Sequence, residues 1–344
     1  MPVTTSRSPL RALLNVVCFF AAFAAVCAGV RVATPFPEVV GIYPKWLHFK
    51  KNKDRYDVVF LGSSRFYHQI IPQQFDERVG AAAPGREVRS FNFGYDAMWP
   101  PESFYMLRRI LELKPARLKW VVIDALGIVA NLEAENRDTR RTAYWHDWQH
   151  TRIAWEGVMD LPLPPLRKWR LLAGHGSLLA RQVTNQGLGA EWLSYEFGVE
   201  KRKKASRWAP PKVWANTEGY AAEPRTVLTG AALRNYEQKV ARLRESLPQA
   251  PRPAFRRALQ EAVDDVKRAG MNPILVVPPS VETRDNLSDL PQGVSVWRYT
   301  DPNRFPELYD TAHRFDDAHL NHEGAVLFTD LLARQFIENL KARP

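Results

Sequence analysis

The chain has 344 residues, enough for one large α/β domain or a domain carrying a sizeable insertion. Its 48 Lys and Arg against 37 Asp and Glu leave a net charge of +11, which admits an anionic membrane surface or an acidic glycan as partner. Nucleic acid is not expected, because no zinc-ligand spacing, Walker motif or RNA-binding signature accompanies that charge.

Residues 1–11 read as a cytoplasmic tail. Ala12 to Val30 follow without a charge, bracketed by Arg11 and Arg31, about the 20 residues a helix needs to cross a bilayer core. Arg7 and Arg11 precede the run, so the positive-inside rule keeps the N-terminus in the cytoplasm and exports the rest. The expectation is an uncleaved single-pass anchor of the inner (cytoplasmic) membrane with a periplasmic or extracellular domain. A cleavable signal peptide, cut after Ala22-Phe23-Ala24, competes with it. Ala24-Ala25-Val26-Cys27 lacks the leading leucine of a lipoprotein box. Cys18 and Cys27 are the only cysteines, so the rest of the chain can form no internal disulfide and offers no thiol nucleophile.

Residues 31–55, with Pro35, Pro37, Pro44 and the run Lys50-Lys51-Asn52-Lys53, read as a stalk below a domain at 56–344. In that domain short apolar runs alternate with amphipathic stretches. Strand Val58–Leu61 precedes a helix over Pro72–Val79, strand Val88–Phe93 a helix over Pro101–Leu113, and strand Trp120–Ile123 a long break. Helices near Ala231–Leu247 and Ala254–Ala269 come next, then strand Ile274–Val277 and a final helix Glu323–Leu340. Gly270 stops one helix as a C-cap, and Pro273 opens the next strand. This alternation argues for a parallel sheet covered on both faces.

The break, at about 130–225, is rich in tryptophan and arginine: Arg140-Arg141, Tyr144-Trp145-His146-Asp147-Trp148, Trp155, Lys168-Trp169-Arg170, Trp192, Trp208 and Trp214. Pro162-Leu163-Pro164-Pro165, Pro210-Pro211 and the run Glu200-Lys201-Arg202-Lys203-Lys204 punctuate it. It reads as a mainly helical insertion over the sheet's carboxyl edge. Exposed aromatics there would suit sugar faces, and arginines would suit carboxylates or phosphates. Alternatively most of these tryptophans form a small core of their own. His146 and His150 fall on one helical face of the insertion, but without a third ligand in reach they do not read as a metal site. No cofactor is implied.

Two distant segments carry chemistry. Asp57-Val58-Val59-Phe60-Leu61-Gly62-Ser63-Ser64-Arg65 is a hydrophobic run into Gly-Ser-Ser, which presents a hydroxyl at the carboxyl edge of a sheet, where open α/β folds place their sites. Asp316-Asp317-Ala318-His319-Leu320-Asn321 supplies a histidine with a carboxylate three residues before it, the pair that activates a serine. Ser63-Ser64 could also simply cap a helix. Asp317 competes with Asp316 as the partner of His319. Asn321 reads as the N-cap of the last helix and His322 as a surface residue.

These residues resemble the SGNH (GDSL-like) hydrolase superfamily, over about residues 55–130 and 270–340. Gly62-Ser63-Ser64-Arg65 matches its Gly-Asp-Ser-Leu block, with Ser64 as nucleophile and Ser63 in place of the aspartate. Asp316 and His319 match its Asp-x-x-His block, and Gly94, in Asn92-Phe93-Gly94, matches its second-block glycine. The third block, Gly-x-Asn-Asp, is absent: Asp124-Ala125-Leu126-Gly127 follows the strand instead. The Gly-Ser-Ser variant is most similar to the membrane-anchored branch that includes the D-alanyl transfer protein of lipoteichoic acid synthesis, with alginate O-acetylation proteins a neighbouring branch.

The resemblance implies a three-layer α/β/α flavodoxin-like domain. It also implies serine ester hydrolysis or O-acyl transfer on cell-envelope polysaccharide or lipid, beside a membrane-bound O-acyltransferase. The oxyanion donors would be the N–H groups of Ser64 and Gly94, with Asn131, Arg65 or Arg140 as candidates for the missing third. Asp124 would orient a neighbour or contact substrate, and His68 could touch substrate. The rival expectation is a non-catalytic scaffold of the same fold that binds polysaccharide or recruits an acyltransferase.

Overall fold

A computed structural model describes residues 9–33, 39, 41–82, 87–132, 139–185, 217–226 and 228–342. The chain is α/β, with one five-stranded sheet among the described residues. Its strands are β1 (Val58–Leu61), β2 (Ser90–Asn92), β3 (Trp120–Asp124), β4 (Asn272–Val277) and β5 (Ser295–Arg298), in the order β2-β1-β3-β4-β5 with every pair parallel. Leu61 sits opposite Ile123, and Ile123 opposite Leu275. The order reverses between β1 and β3, the point at which open α/β sheets leave a crevice beyond their strand ends.

Because side chains alternate along a strand, the apolar runs feed two cores. Val58, Phe60, Val122, Ile274 and Val276 pack with α4 (Pro72–Ala82), α9 (Gly230–Glu245) and α11 (His322–Lys341). Val59, Leu61, Val121, Ile123, Leu275 and Val277 pack with α2 (Ile42–Asn52), α5 (Glu102–Glu112) and α10 (Pro253–Arg268). A short helix, α3 (Ser64–Tyr67), follows β1 directly. Gly270, at φ +77°, ends the chain's exit from α10 in the left-handed conformation its residue type tolerates.

At the N-terminus, α1 (Pro9–Ala33) is long and apolar enough to span a membrane, and none of its apolar window is buried.

The segment read as a stalk differs from expectation. Ile42, Trp46 and Phe49 of α2 are buried in the core beside Phe91 and Phe93, with Phe49 edge-on to Phe93 at 5.7 Å between ring centres. Residues 42–55 therefore belong to the domain. Pro44 is accommodated because it falls in the first helical turn, where its missing N–H breaks no bond.

Between residues 139 and 185 the insertion carries three helices, α6 (Arg140–Tyr144), α7 (Trp148–Met159) and α8 (Pro165–Val183), while its described residues 217–226 contain none. Tyr144, Trp145, Ile153 and Ala154 join the core of α5 and α10, so this part widens one helical layer. Its Gly157, Asp160 and Leu161 border a cleft of about 570 Å³ with Arg65, Trp99 and Asn131. Trp145 is buried and Trp155 donates to Leu172 O, whereas Trp148 and Trp169 are exposed. Trp192, Trp208, Trp214, the 200–204 basic run and Pro210-Pro211 lie outside the described residues.

Truncating Phe49 to Ala should cost about 3–5 kcal/mol of unfolding free energy, as large-to-small changes in packed cores do. Denaturant unfolding of the full-length protein in detergent measures this. A free stalk would lose almost nothing.

Candidate active site

Gly62 follows the end of β1, and a Cβ there would stand 2.3 Å from Cβ of Asp124, so the position admits only glycine at this strand spacing. Asp124 ends β3 on the adjacent strand. Its Oδ2 accepts Ser63 Oγ–H at 2.8 Å and Ser63 N–H at 3.1 Å. Ser63 Oγ in turn accepts Arg65 N–H at 3.2 Å, which makes Ser63 the N-cap of α3. The cap role thus belongs to Ser63, and the hydroxyl of Ser64, the first helical residue, is left for other use.

Ser64 Oγ lies 2.8 Å from His319 Nε2. His319 Nδ1 is 3.0 Å from both Oδ1 and Oδ2 of Asp316. Since a carboxylate can only accept, Nδ1 carries the hydrogen and Nε2 presents a lone pair to the serine hydroxyl. Asp316 Oδ1 also accepts the N–H groups of Ala318 and His319 at 2.7 and 2.6 Å. Burial pushes the Asp316 carboxyl up, but the His319 ring and these two amides outweigh it and hold the pKa at about 2.

Asp317, the competing partner, is turned away to Lys239 Nζ at 2.7 Å. Arg314, fully buried, reaches the carbonyls of Leu308 and Asp317 and pins this loop from below. Asn321 caps α11 through Gly324 N–H at 3.0 Å. His322 is exposed, and its Nδ1 meets Tyr220 Oη at 2.8 Å.

The oxyanion candidates are placed unequally. Ser64 N–H has no hydrogen-bond partner among the described residues. Gly94 N–H is engaged by Asn92 Oδ1 at 2.9 Å, and its carbonyl accepts from buried Lys45 Nζ. A Cβ on Gly94 would meet Tyr67 N at 2.5 Å, so the residue is glycine for close packing against α3. Asn92, fully buried, also donates to Phe66 O and Ile70 O, tying β2 to the segment after Ser64. Asn131 is exposed on the 570 Å³ cleft. Arg65 is buried and pairs with Asp285 Oδ2 at 2.7 Å, and Arg140 opens α6 at the surface. None of these three is placed against Ser64 by a hydrogen bond.

His68, edge-on to His319 at 6.0 Å between ring centres, contacts Asp96 Oδ1 at 2.8 Å and Glu223 Oε1 at 3.3 Å. Burial lowers its pKa, but the Asp96 hydrogen bond, the Ala221 carbonyl and both carboxylates outweigh that and raise it. Asp96 and Glu223 escaped the sequence reading because nothing local marks them. His146 and His150 do not share a site: His146 Nε2 meets His175 Nδ1 at 2.9 Å, and His150 pairs with Asp147.

The chain matches no protein-family model. Nor does it match any curated protein.

Burial pushes Asp124 up to about 7, against the Ser63 hydrogen bonds and the charge of Arg65. An unfolded aspartate titrates near 3.9. A raised folded pKa means that the folded state holds the proton more tightly. This stabilisation is complete below about pH 4 and lost as pH rises through about 7. Asp124→Asn removes the titration, so unfolding midpoints of wild type and variant should diverge between about pH 4 and 7, the wild type falling further. Parallel curves would refute it.

Proposed function

We propose that the chain is a membrane-anchored serine esterase or O-acyltransferase of the SGNH type, acting on cell-envelope polysaccharide or lipid. The observation that carries the reading is the hydrogen-bonded series Ser64 Oγ–His319 Nε2 (2.8 Å) and His319 Nδ1–Asp316 (3.0 Å), assembled from residues 255 positions apart. The 2-1-3-4-5 parallel order with helices on both faces supports a three-layer, flavodoxin-like domain. The absent Gly-x-Asn-Asp block keeps membership of that superfamily a proposal resting on geometry and motif order.

Ser64 Oγ attacks the ester carbonyl while His319 Nε2 takes its proton. The resulting imidazolium is stabilised by Asp316 and returns the proton to the departing alkoxide, leaving an acyl group on Ser64. Water or a sugar hydroxyl then repeats the sequence in reverse, giving hydrolysis or transfer. Ser64 N–H is the ready oxyanion donor. Gly94 N–H contributes only by sharing its bond with Asn92. The domain would face the periplasm or cell exterior, carried on α1 and working beside a membrane-bound O-acyltransferase that delivers or receives acyl groups.

The scaffold reading draws on that engaged Gly94 amide and on the absence of a third donor hydrogen-bonded beside Ser64 among the described residues. Each donor is worth on the order of 3 kcal/mol in the transition state, so a depleted oxyanion site suits slow chemistry or none.

A fluorophosphonate probe separates the two readings, since it labels an activated serine and not an idle one. Labelling and p-nitrophenyl ester turnover should be lost in Ser64→Ala and in His319→Ala. A folded wild type that takes no label would sink the enzyme in favour of the scaffold.

Asp316→Asn should retain Ser64 yet lower kcat by roughly 10³–10⁴, because the amide no longer stabilises the correct tautomer and the imidazolium. Steady-state kinetics on the same ester check this. An unchanged kcat would show that Asp316 does not orient His319.

A further inference from the structure

The helix α8 has a composition unlike that of an ordinary solvent-facing helix. It contains Arg167, Lys168, Arg170 and Arg181 and no acidic residue. Its buried side is narrow, consisting of His175 and Leu178. The face that should be polar is instead a stripe of Leu166, Trp169, Ala173, Ser177, Ala180 and Val183, all exposed. Leu166 and Trp169, 64% and 69% exposed, are the least covered large apolar side chains of the helix. Such a stripe costs hydration free energy in water, at roughly 25 cal/mol per Å² of apolar area, and calls for a covering phase.

The position of α1 identifies that phase. The last turns of α1 are hydrogen-bonded to the end of α8: Asn185 Nδ2 donates to Cys27 O at 2.6 Å, and Arg31 Nη2 donates to Gln182 O at 2.8 Å. If Ala12–Val30 fills the hydrocarbon core, Cys27 to Arg31 lie at the bilayer boundary, and so does the C-terminal end of α8. The remaining 19-residue helix, about 28 Å long at 1.5 Å per residue, then needs only to lie in the plane for its stripe to enter the headgroup region. Tryptophan at the interface and flanking arginines beside lipid phosphates are the side chains that such a position favours.

We propose that α8 is an interfacial helix that docks the domain on the anionic bilayer surface of the membrane that α1 spans. The proposal rests on the reading of α1 as an anchor and on no catalytic assignment. The docked geometry holds the domain at a fixed height and face, so substrates carried by the membrane or its bound polymers reach the site by lateral diffusion.

The test uses the full-length chain in vesicles of phosphatidylcholine and phosphatidylglycerol, with Cys18→Ser and Cys27→Ser removing the native thiols. Spin labels are placed at Leu166→Cys, Trp169→Cys and Ala180→Cys, with Phe20→Cys on α1 and Ala241→Cys on α9 as references. Collision with oxygen should exceed collision with a water-soluble nickel complex at the three α8 sites, as at position 20 and unlike position 241. Adding Arg167→Glu and Arg170→Glu should shift the α8 labels toward the nickel-accessible pattern. If the α8 labels match position 241 while position 20 stays in lipid, docking is refuted and the anchor stands. Nickel-accessible labels at position 20 would overturn anchor and docking together. Labels on α8 shielded from both reagents, in vesicles and in detergent alike, would show protein covering the stripe and would also refute the proposal.

Discussion

The site depends on how closely β1 and β3 approach at their carboxyl ends. With Leu61 opposite Ile123, the next residue pair brings Gly62 against Asp124, where a side chain on residue 62 would displace the Asp124 side chain. Glycine removes that obstacle and lets one buried carboxylate bind both polar hydrogens of Ser63. Ser63 then caps α3, and α3 fixes the direction in which Ser64 projects. A strand contact is thereby converted, over three residues, into the aim of a hydroxyl at His319.

A second fixed point lies opposite. Gly94 is gripped at its amide by Asn92 and at its carbonyl by Lys45, a fully buried lysine that also stands over the Tyr67 ring at 4.1 Å. Burial drives the Lys45 pKa well below the usual lysine range, with the Asp96 charge opposing. The cost of these buried polar groups is offset because each meets a backbone partner. The outcome is a rigid floor between β1 and β2 on which α3 rests. Around it, Asp96 and Glu223 contact His68 and raise its pKa.

What could be read from the sequence was what is encoded locally. Val58–Leu61 and Trp120–Ile123 are continuous apolar runs because both sheet faces are covered, and a helix near Ala254–Ala269, found at Pro253–Arg268, follows from its amphipathic spacing. Asp316 and His319 are three residues apart, so their pairing is a property of one turn. The helix α2 was hidden although Ile42, Trp46 and Phe49 have helical spacing, because Pro44 and the lysine run dominate the segment. β5 was hidden because it is a four-residue edge strand with a single buried position, Trp297, and no apolar run to mark it. The union of Ser64 with His319 is a tertiary fact, linked in advance only by the chemistry a serine nucleophile needs and by the resemblance of the two motifs to one superfamily.

The missing third block now has a physical counterpart. In this chain the strand-ending position of β3 is Asp124, and its carboxylate is used inward, on the serine turn, with Oδ1 left without a hydrogen bond. A group held there against Gly62 cannot also face a substrate beyond the sheet edge, and its charged form would repel an oxyanion. On the proposed function, positioning of the nucleophile and stabilisation of the tetrahedral intermediate would be separated: the first would fall to Asp124 and Ser63 and the second to Ser64 N–H. Under the proposed function, that division would favour a reaction whose acceptor is itself positioned on the protein. An acyl-enzyme formed slowly still transfers efficiently if a sugar hydroxyl is held at the ester, because effective molarities of well-oriented groups reach about 10⁵ M or more.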